Sequence, residues 1–290
     1  MTPTLGVVFL PTFAPETLKD VAQQADRVGL AELWLWEDCF KEGGLTAAAA
    51  ALAWTTRLRV GVGLIPVPLR NVALSAMEIA TLDRMFPGRL VMGVGHGVLD
   101  WMALVGARAE SPMTLLREYT VALQRLLAGE TVTTEGRYVR LDQVGLTWPS
   151  AEPAPLLVGA MGPRTMALAG ELSDGVILTG GTTVAEVGDA RRLVDAAAEA
   201  AGRARPRVVV FLMAATGAGA HERLTRDLAA WEPDADLMGV AGDVEAVAAT
   251  VGALAEAGAD AVILQPTMDE PDVAGFVRFV AEDLATVLGG

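Results

Sequence analysis

The sequence predicts an α/β chain closed into a (β/α)8 TIM barrel, on three observations. Eight short apolar runs alternate with segments of helical periodicity. The 290 residues accord with the roughly 250 typical of this architecture. No early GxGxxG is followed by an acidic residue ~20 positions on, which lowers the open doubly wound alternative. No Pro/Gly/Ser-rich linker interrupts the alternation, so residues 1–290 read as one barrel domain.

Leu5 to Pro11 is the first strand, and Pro15 to Val28 a helix stopped by Gly29. Leu33 to Trp36 is strand two, and the Ala-rich run Leu45 to Thr55 the next helix. Of Trp34 and Trp36, at most one is expected to face the barrel interior, with Trp34 packing in the core. Val60, Val62, Leu64 and Ile65 are strand formers. Pro66 and Pro68 then remove N–H donors and fix φ, which takes the chain out of the sheet. Leu74, Met77, Ile79, Leu82 and Met85 recur at roughly helical spacing up to Pro87-Gly88, and Leu90 to Val94 resumes an apolar run. This is a βαβ unit, whose parallel strands are buried on both faces. After a helix near Pro112 to Leu127, strands follow at Pro155 to Met161, Val176 to Thr179, Arg207 to Met213 and Ala261 to Gln265, with a last helix from Pro271 to Leu288. One segment departs from this pattern: Gly129 to Trp148, with Val132, Tyr138, Val139 and Leu141 around Glu135-Gly136, reads as a β-hairpin inserted before strand five, on the surface or over one end of the site.

Composition narrows the function. A formal net charge of -14 repels phosphate backbones and acidic membranes, which argues against nucleic acid and membrane partners and for a small molecule. The single Cys39 and two histidines leave no basis for a disulfide or a zinc cluster. No apolar run approaches the ~20 residues needed to cross a bilayer, and no basic stretch precedes the first apolar segment. A cytoplasmic location is therefore expected. The Ala-rich helix Leu45 to Thr55 and the apolar helix Leu74 to Met85 offer smooth faces that lead us to expect a homodimer.

Barrel enzymes build their sites at the C-terminal ends of the strands. Here those ends read Trp36-Glu37-Asp38-Cys39-Phe40, Gly63-Leu64-Ile65-Pro66, Gly95-His96-Gly97, Gly159-Ala160-Met161-Gly162 and Thr179-Gly180-Gly181-Thr182. Paired glycines let backbone approach a flat or phosphorylated ligand, although any one of them also serves a tight turn. His96, set between two glycines just past a strand, is the one placed where acid–base work is needed and the side chain titrates near neutrality. His221 reads as an exposed residue at a helix start.

The ordered set of segments resembles the bacterial luciferase-like family of flavin- and deazaflavin-dependent oxidoreductases. GLAELWLWEDCF from Gly29 to Phe40 resembles the family's second strand, LRVGVGLIPVPLRN from Leu58 to Asn71 its third with the following arginine, and LDRMFPGRLVMGVGHG from Leu82 to Gly97 its fourth. LLVGAMGPRTMALAGELSDGVIL from Leu156 to Leu178 and VAGDVEAVAATVGALAEAGADAVIL from Val240 to Leu264 extend the likeness over nearly the whole chain. The resemblance implies hydride transfer, with or without oxygen insertion, between a cofactor and an organic substrate. The cofactor is the deazaflavin F-420, favoured by the match of Gly61 to Arg70, or FMN. The ring-backing element falls on Gly63-Leu64, followed by Ile65, with a cis peptide in deazaflavin-dependent members. Gly95, His96 and Gly97 border the ring, Gly159, Ala160, Met161 and Gly162 its substituted edge, and Thr179, Gly180 and Gly181 the phosphate.

Three positions depart from the family pattern. Cys39 stands where histidine is usual, Val98 where one subgroup has a proton-donating glutamate, and Thr182 where some members have a phosphate-binding lysine. Without that lysine the phosphate would rely on backbone and on Arg164 at the next helix start, or Arg164 is simply solvated. Cys39 is a buried small hydrophobe or a weak proton donor over the cofactor. Asp38 hydrogen-bonds the ring or caps the next segment. The catalytic set is thus His96, Cys39 and Asp38. The same three losses leave a second reading open, a cofactor-poor relative that serves as a binding or structural protein.

Overall fold

In the computed structural model, residues 2–231 and 237–289 are described. Eleven strands occur among them: β1 (Thr4–Phe9), β2 (Glu32–Leu35), β3 (Arg59–Pro66), β4 (Leu90–Gly95), β5 (Val132–Glu135), β6 (Arg140–Val144), β7 (Leu156–Gly159), β8 (Gly175–Leu178), β9 (Arg207–Ala215), β10 (Gly239–Ala241) and β11 (Ala261–Gln265). The helices are α1 (Leu18–Val28), α2 (Gly44–Trp54), α3 (Val72–Met85), α4 (Leu99–Leu104), α5 (Pro112–Leu127), α6 (Pro163–Leu172), α7 (Val184–Ala200), α8 (Ala220–Trp231), α9 (Val244–Ala257), α10 (Val273–Arg278) and α11 (Ala285–Gly289).

Parallel pairing runs β11-β1-β2-β3-β4-β7-β8, and β9 joins both β8 and β11, which closes an eight-stranded barrel. The (β/α)8 expectation is met. The hairpin is β5 with β6, antiparallel, and sits outside the barrel as its own sheet. Its turn is fastened to α5 because the Glu118 carboxylate accepts the N–H groups of Arg137, Tyr138 and Val139 at 2.9, 2.8 and 3.0 Å. Short β10 continues the sheet beside the end of β9, an addition that the sequence did not disclose.

Strand alternation sorts the core into two layers. Val60, Val62, Met92, Val158, Val176, Val210 and Leu264 face the helices. Val8, Leu10, Trp34, Trp36, Val91, Leu157, Ile177, Val209, Phe211, Ala261 and Ile263 fill the barrel interior. The expectation that only one of Trp34 and Trp36 points inward is thereby corrected: residues two apart on a strand share a face, and both indoles lie inside. Gly61 is glycine because a Cβ there would meet the Trp34 ring at 2.3 Å.

At the N-terminal end of the barrel Glu32 is fully buried. Its Oε1 meets the guanidinium groups of Arg59 at 3.1 Å and Arg207 at 2.9 Å, and Oε2 accepts the Trp34 indole N–H at 3.0 Å. Three strand starts are thus tied to one carboxylate.

Candidate active site

The opposite, C-terminal end is built differently. β3 carries a bulge against β4 between Val62 and Ile65, and the Gly63–Leu64 peptide within it is cis, as is Cys39–Phe40. The bulge turns Leu64 over the ends of β4 and β7, where a Cβ on Gly95 or Gly159 would lie 2.5 or 2.2 Å from its methyl groups. These two glycines therefore make room for Leu64, a reason that turn chemistry alone does not contain. Gly63, Leu64, Gly159 and Thr179 remain partly exposed and line the opening.

Alternation also decides the roles on β2. Glu37 points away from the axis and is held by Arg70, whose Nε and a terminal N–H reach its two oxygens at 3.1 and 2.7 Å, while Gly44 N–H adds a bond at 2.9 Å. The third Arg70 contact goes to Glu78 at 3.0 Å. The arginine that the resemblance singled out is thus a clamp between strand ends. Asp38, half-buried in the segment after β2, has its pKa raised by burial, with Lys41 opposing. Burial, then the Glu37 and Asp38 carboxylates, pushes the Cys39 thiol up, so it stays protonated at neutral pH.

His96 lies in the rim, between the first turns of α5 and α6. Its Nε2 is 3.4 Å from Thr165 Oγ1, which also contacts the Met113 sulfur. Burial lowers its pKa against the Pro112 carbonyl, and this keeps the imidazole neutral at pH 7. Val98 is exposed.

The two expected anion anchors also differ. At α7 a capping box fills the start: Glu186 accepts Thr183 N–H at 2.8 Å, and Thr182 N–H is used by the Thr179 carbonyl. A second anion beside the Glu186 carboxylate is disfavoured. At α6 the cap residue is Gly162, no side chain caps the turn, and Arg164 is exposed with no ion-pair partner among the described residues. That helix start is the better seat for an anion.

Sequence reasoning missed two mouth residues. Gln265, the last residue of β11, is only 2% exposed, and its Oε1 has no hydrogen-bond partner. Glu42, in the loop after β2, buries both carboxylate oxygens without a partner, and burial pushes its pKa to about 7. With Trp36 Nε1 and His96 Nδ1 they place five orphaned polar atoms at one end of the barrel. Buried polar groups are ordinarily satisfied; the other atoms without a partner among the described residues include Glu32 Oε1 and Arg59 Nε at the opposite end, where guanidinium and carboxylate are paired by charge.

A parallel barrel with polar groups gathered at its strand ends is the arrangement of barrel enzymes that hold a small molecule there. The chain belongs to the luciferase-like monooxygenase family, whose model matches residues 3–261. A 5,10-methylenetetrahydromethanopterin reductase of Methanolobus tindarius is 29% identical over 60% of this chain and 53% of its own length. An F420-dependent glucose-6-phosphate dehydrogenase of Nakamurella multipartita is 33% identical over 58% of this chain and 53% of its own. The chain thus matches about half the length of these relatives. An F420-dependent secondary alcohol dehydrogenase, solved in complex with an F420-acetone adduct, superposes with a TM-score of 0.89 at 19% identity, covering 99% of each chain. The FMN-bound oxygenating constituent of 3,6-diketocamphane monooxygenase from Pseudomonas putida superposes at 0.81 and 18%, covering 99% of this chain and 98% of that one. At these identities the structures establish the shared fold.

Proposed function

We propose that this protein is a cofactor-dependent oxidoreductase that moves hydride between F-420, with FMN as the alternative, and a small organic substrate. The observation that carries this reading is the β3 bulge that sets Leu64 over Gly95 and Gly159 at the strand ends, the barrel end at which Glu42 and Gln265 also bury polar atoms without partners. The relative named as an F420-dependent glucose-6-phosphate dehydrogenase favours the deazaflavin. Gly63, Leu64 and Ile65 would back the ring, with Gly95, His96 and Gly97 at one border and Gly159, Ala160, Met161 and Gly162 at the other. Thr179, Gly180 and Gly181 would line the side chain, and Arg164 with the α6 start would receive its anionic end. When bound, such a cofactor supplies the two-electron hydride acceptor or donor.

The chain's own groups supply the rest. Asp38, just past the end of β2 with a raised pKa, and His96, neutral in the rim, are the groups that exchange a proton with the substrate. Cys39, held as a thiol, contributes an apolar wall. The groove of about 410 Å3 between α2 and α3, lined by Leu45, Ala49, Leu74, Met77 and Leu82, would be covered in a homodimer, and light scattering should give twice the chain mass.

Fluorescence titration tests the reading. F-420 should quench with micromolar or tighter affinity and FMN more weakly. FMN binding in that range without F-420 binding would reverse the preference, and binding of neither would favour the non-catalytic alternative. With the substrate in hand, Asp38→Asn and His96→Gln should each lower turnover about 10²- to 10⁴-fold and leave cofactor affinity nearly unchanged.

A further inference from the structure

We infer that a cavity beside the β5–β6 hairpin is a second binding site, for a phosphorylated small molecule, and that it is independent of the cofactor reading above. The cavity, of about 420 Å3, lies where the turn between β3 and α3, the loop after α4, α5 and the hairpin meet. None of the strand-end residues assigned above to cofactor or substrate lines it. Its charge runs against that of the chain. Acidic residues outnumber basic ones 36 to 22, yet Arg70, Arg108 and Arg140 line the cavity and no carboxylate does. Arg70 is committed, since Glu37 and Glu78 take its N–H groups and more than offset its charge. The positive charge therefore comes from the other two. Arg108 has only Asp100 at 3.7 Å, a carboxylate that is itself 90% exposed, and Arg140 donates only to the Gly136 carbonyl at 3.4 Å. Such contacts are too long and too exposed to hold either side chain. The other acidic groups of these segments are engaged, Glu110 with Arg137 and Glu118 with three hairpin N–H groups.

Size and lining set the class of ligand. The volume falls within the roughly 300–1,000 Å3 of small-molecule pockets, more than a bare anion fills. Leu115, Tyr119 and Val139 supply apolar wall for an organic body. Tyr138 adds a polar group: its oxygen accepts the Ser111 N–H at 2.7 Å, which leaves the phenol hydrogen for another acceptor. A phosphate monoester carries close to two negative charges at neutral pH on three terminal oxygens. Guanidinium groups from two chain segments can grip it together, whereas one carboxylate is saturated by one arginine. Arg108 and Arg140 come from two such segments, the loop after α4 and the start of β6. The Glu118 bonds that fasten the hairpin turn to α5 thus also carry Arg140 to the cavity, and this gives an element outside the barrel a part in binding.

Isothermal titration calorimetry tests the inference with three probes: AMP as the phosphate monoester, adenosine as the same body without the charge, and succinate as a dicarboxylate. AMP should bind with a Kd below about 1 mM, and adenosine and succinate about tenfold or more weakly. Arg108→Gln and Arg140→Gln should each weaken AMP about tenfold. Neither side chain has a close partner to lose, so circular dichroism should report a folded chain. Arg140→Lys, which keeps the charge without the two-pronged geometry, should be intermediate and serves if the glutamine variant is unfolded. Arg164→Gln, at the start of α6, should leave AMP affinity unchanged, which separates this cavity from an anion seat at the barrel mouth. No AMP binding, adenosine or succinate binding as tightly as AMP, or a loss in Arg164→Gln with none in Arg108→Gln and Arg140→Gln would each overturn the inference. The F-420 titration decides the cofactor reading separately, since these probes and variants do not depend on it.

Discussion

Two carboxylates at opposite ends of the barrel show how differently the ends are made. Glu32, at the closed end, is surrounded by two guanidinium groups and an indole N–H. Glu42, at the open end, has neither oxygen partnered, and burial alone pushes it to about 7. The first is an investment in stability: three strand starts share one charge. The second is kept at a loss of stability, as are Trp36 Nε1 and Gln265 Oε1. A carboxylate held between two guanidinium groups at one end and one with no partner at the other separate the part that folds the chain from the part that is left to bind.

Breaking the closed end should have the largest effect. Glu32→Ala strands Arg59 and Arg207 and the Trp34 N–H, and should cost about 3 kcal/mol in urea unfolding, the lower end of the range for buried pairs because both arginines are partly exposed. F-420 affinity should be unchanged. A loss under about 1 kcal/mol would show that the network is a consequence of the fold and adds little to it.

At the open end the sign reverses. The folded pKa of Glu42 lies above its ordinary 4.5, so its penalty is absent below that value and grows as pH rises to about 7. Glu42→Gln should therefore stabilise the protein at pH 8 by about 1–2 kcal/mol, discounted for partial exposure. No gain should appear at pH 4. An equal gain at both pH values would assign the effect to packing and not to ionisation.

The smallest effect belongs to Asp26, again near the closed end. Burial raises its pKa, but the N–H groups of Arg57, Thr56 and Leu58, at 2.8, 3.0 and 2.7 Å, outweigh this and hold it at about 2. The stabilisation is complete above the ordinary 3.8 and is lost as pH falls through about 2. Asp26→Asn should cost about 1 kcal/mol at pH 7, because the carboxylate is partly exposed. The gap to the unaltered protein should close in unfolding curves taken toward pH 2.

Much of the frame was legible because its signals are local. The eight apolar runs, Pro66 and Pro68 after β3, Gly29 after α1 and the Glu135-Gly136 turn each act over a few residues, and they mark the elements that the structure shows. The strand-end segments were legible for the same reason, since a barrel places the residue after each strand at one face. Parity was also available, and its misuse at Trp34 and Trp36 shows that a period of two has to be counted, not sensed. The roles within those segments were not legible. Glu37 and Asp38 are neighbours in sequence, yet one grips Arg70 and the other is half-buried with its pKa raised by burial. His96 follows a strand end as read, but its contact with Thr165 comes from a helix 69 positions away in the chain, which spacing does not encode.

The sequence by itself determined the alternation of strands and helices, their order around the barrel and the face on which the strand ends gather, because periodicity and turn chemistry depend on near neighbours. Tertiary structure alone decided that Gly95 and Gly159 yield their space to Leu64, that Glu32 draws in Arg59 and Arg207, and that Gln265 faces Gly180 without a partner. Whether a polar atom is satisfied, or a glycine is filled against, depends on every atom around it, and strand closure brings those atoms together from across the whole chain.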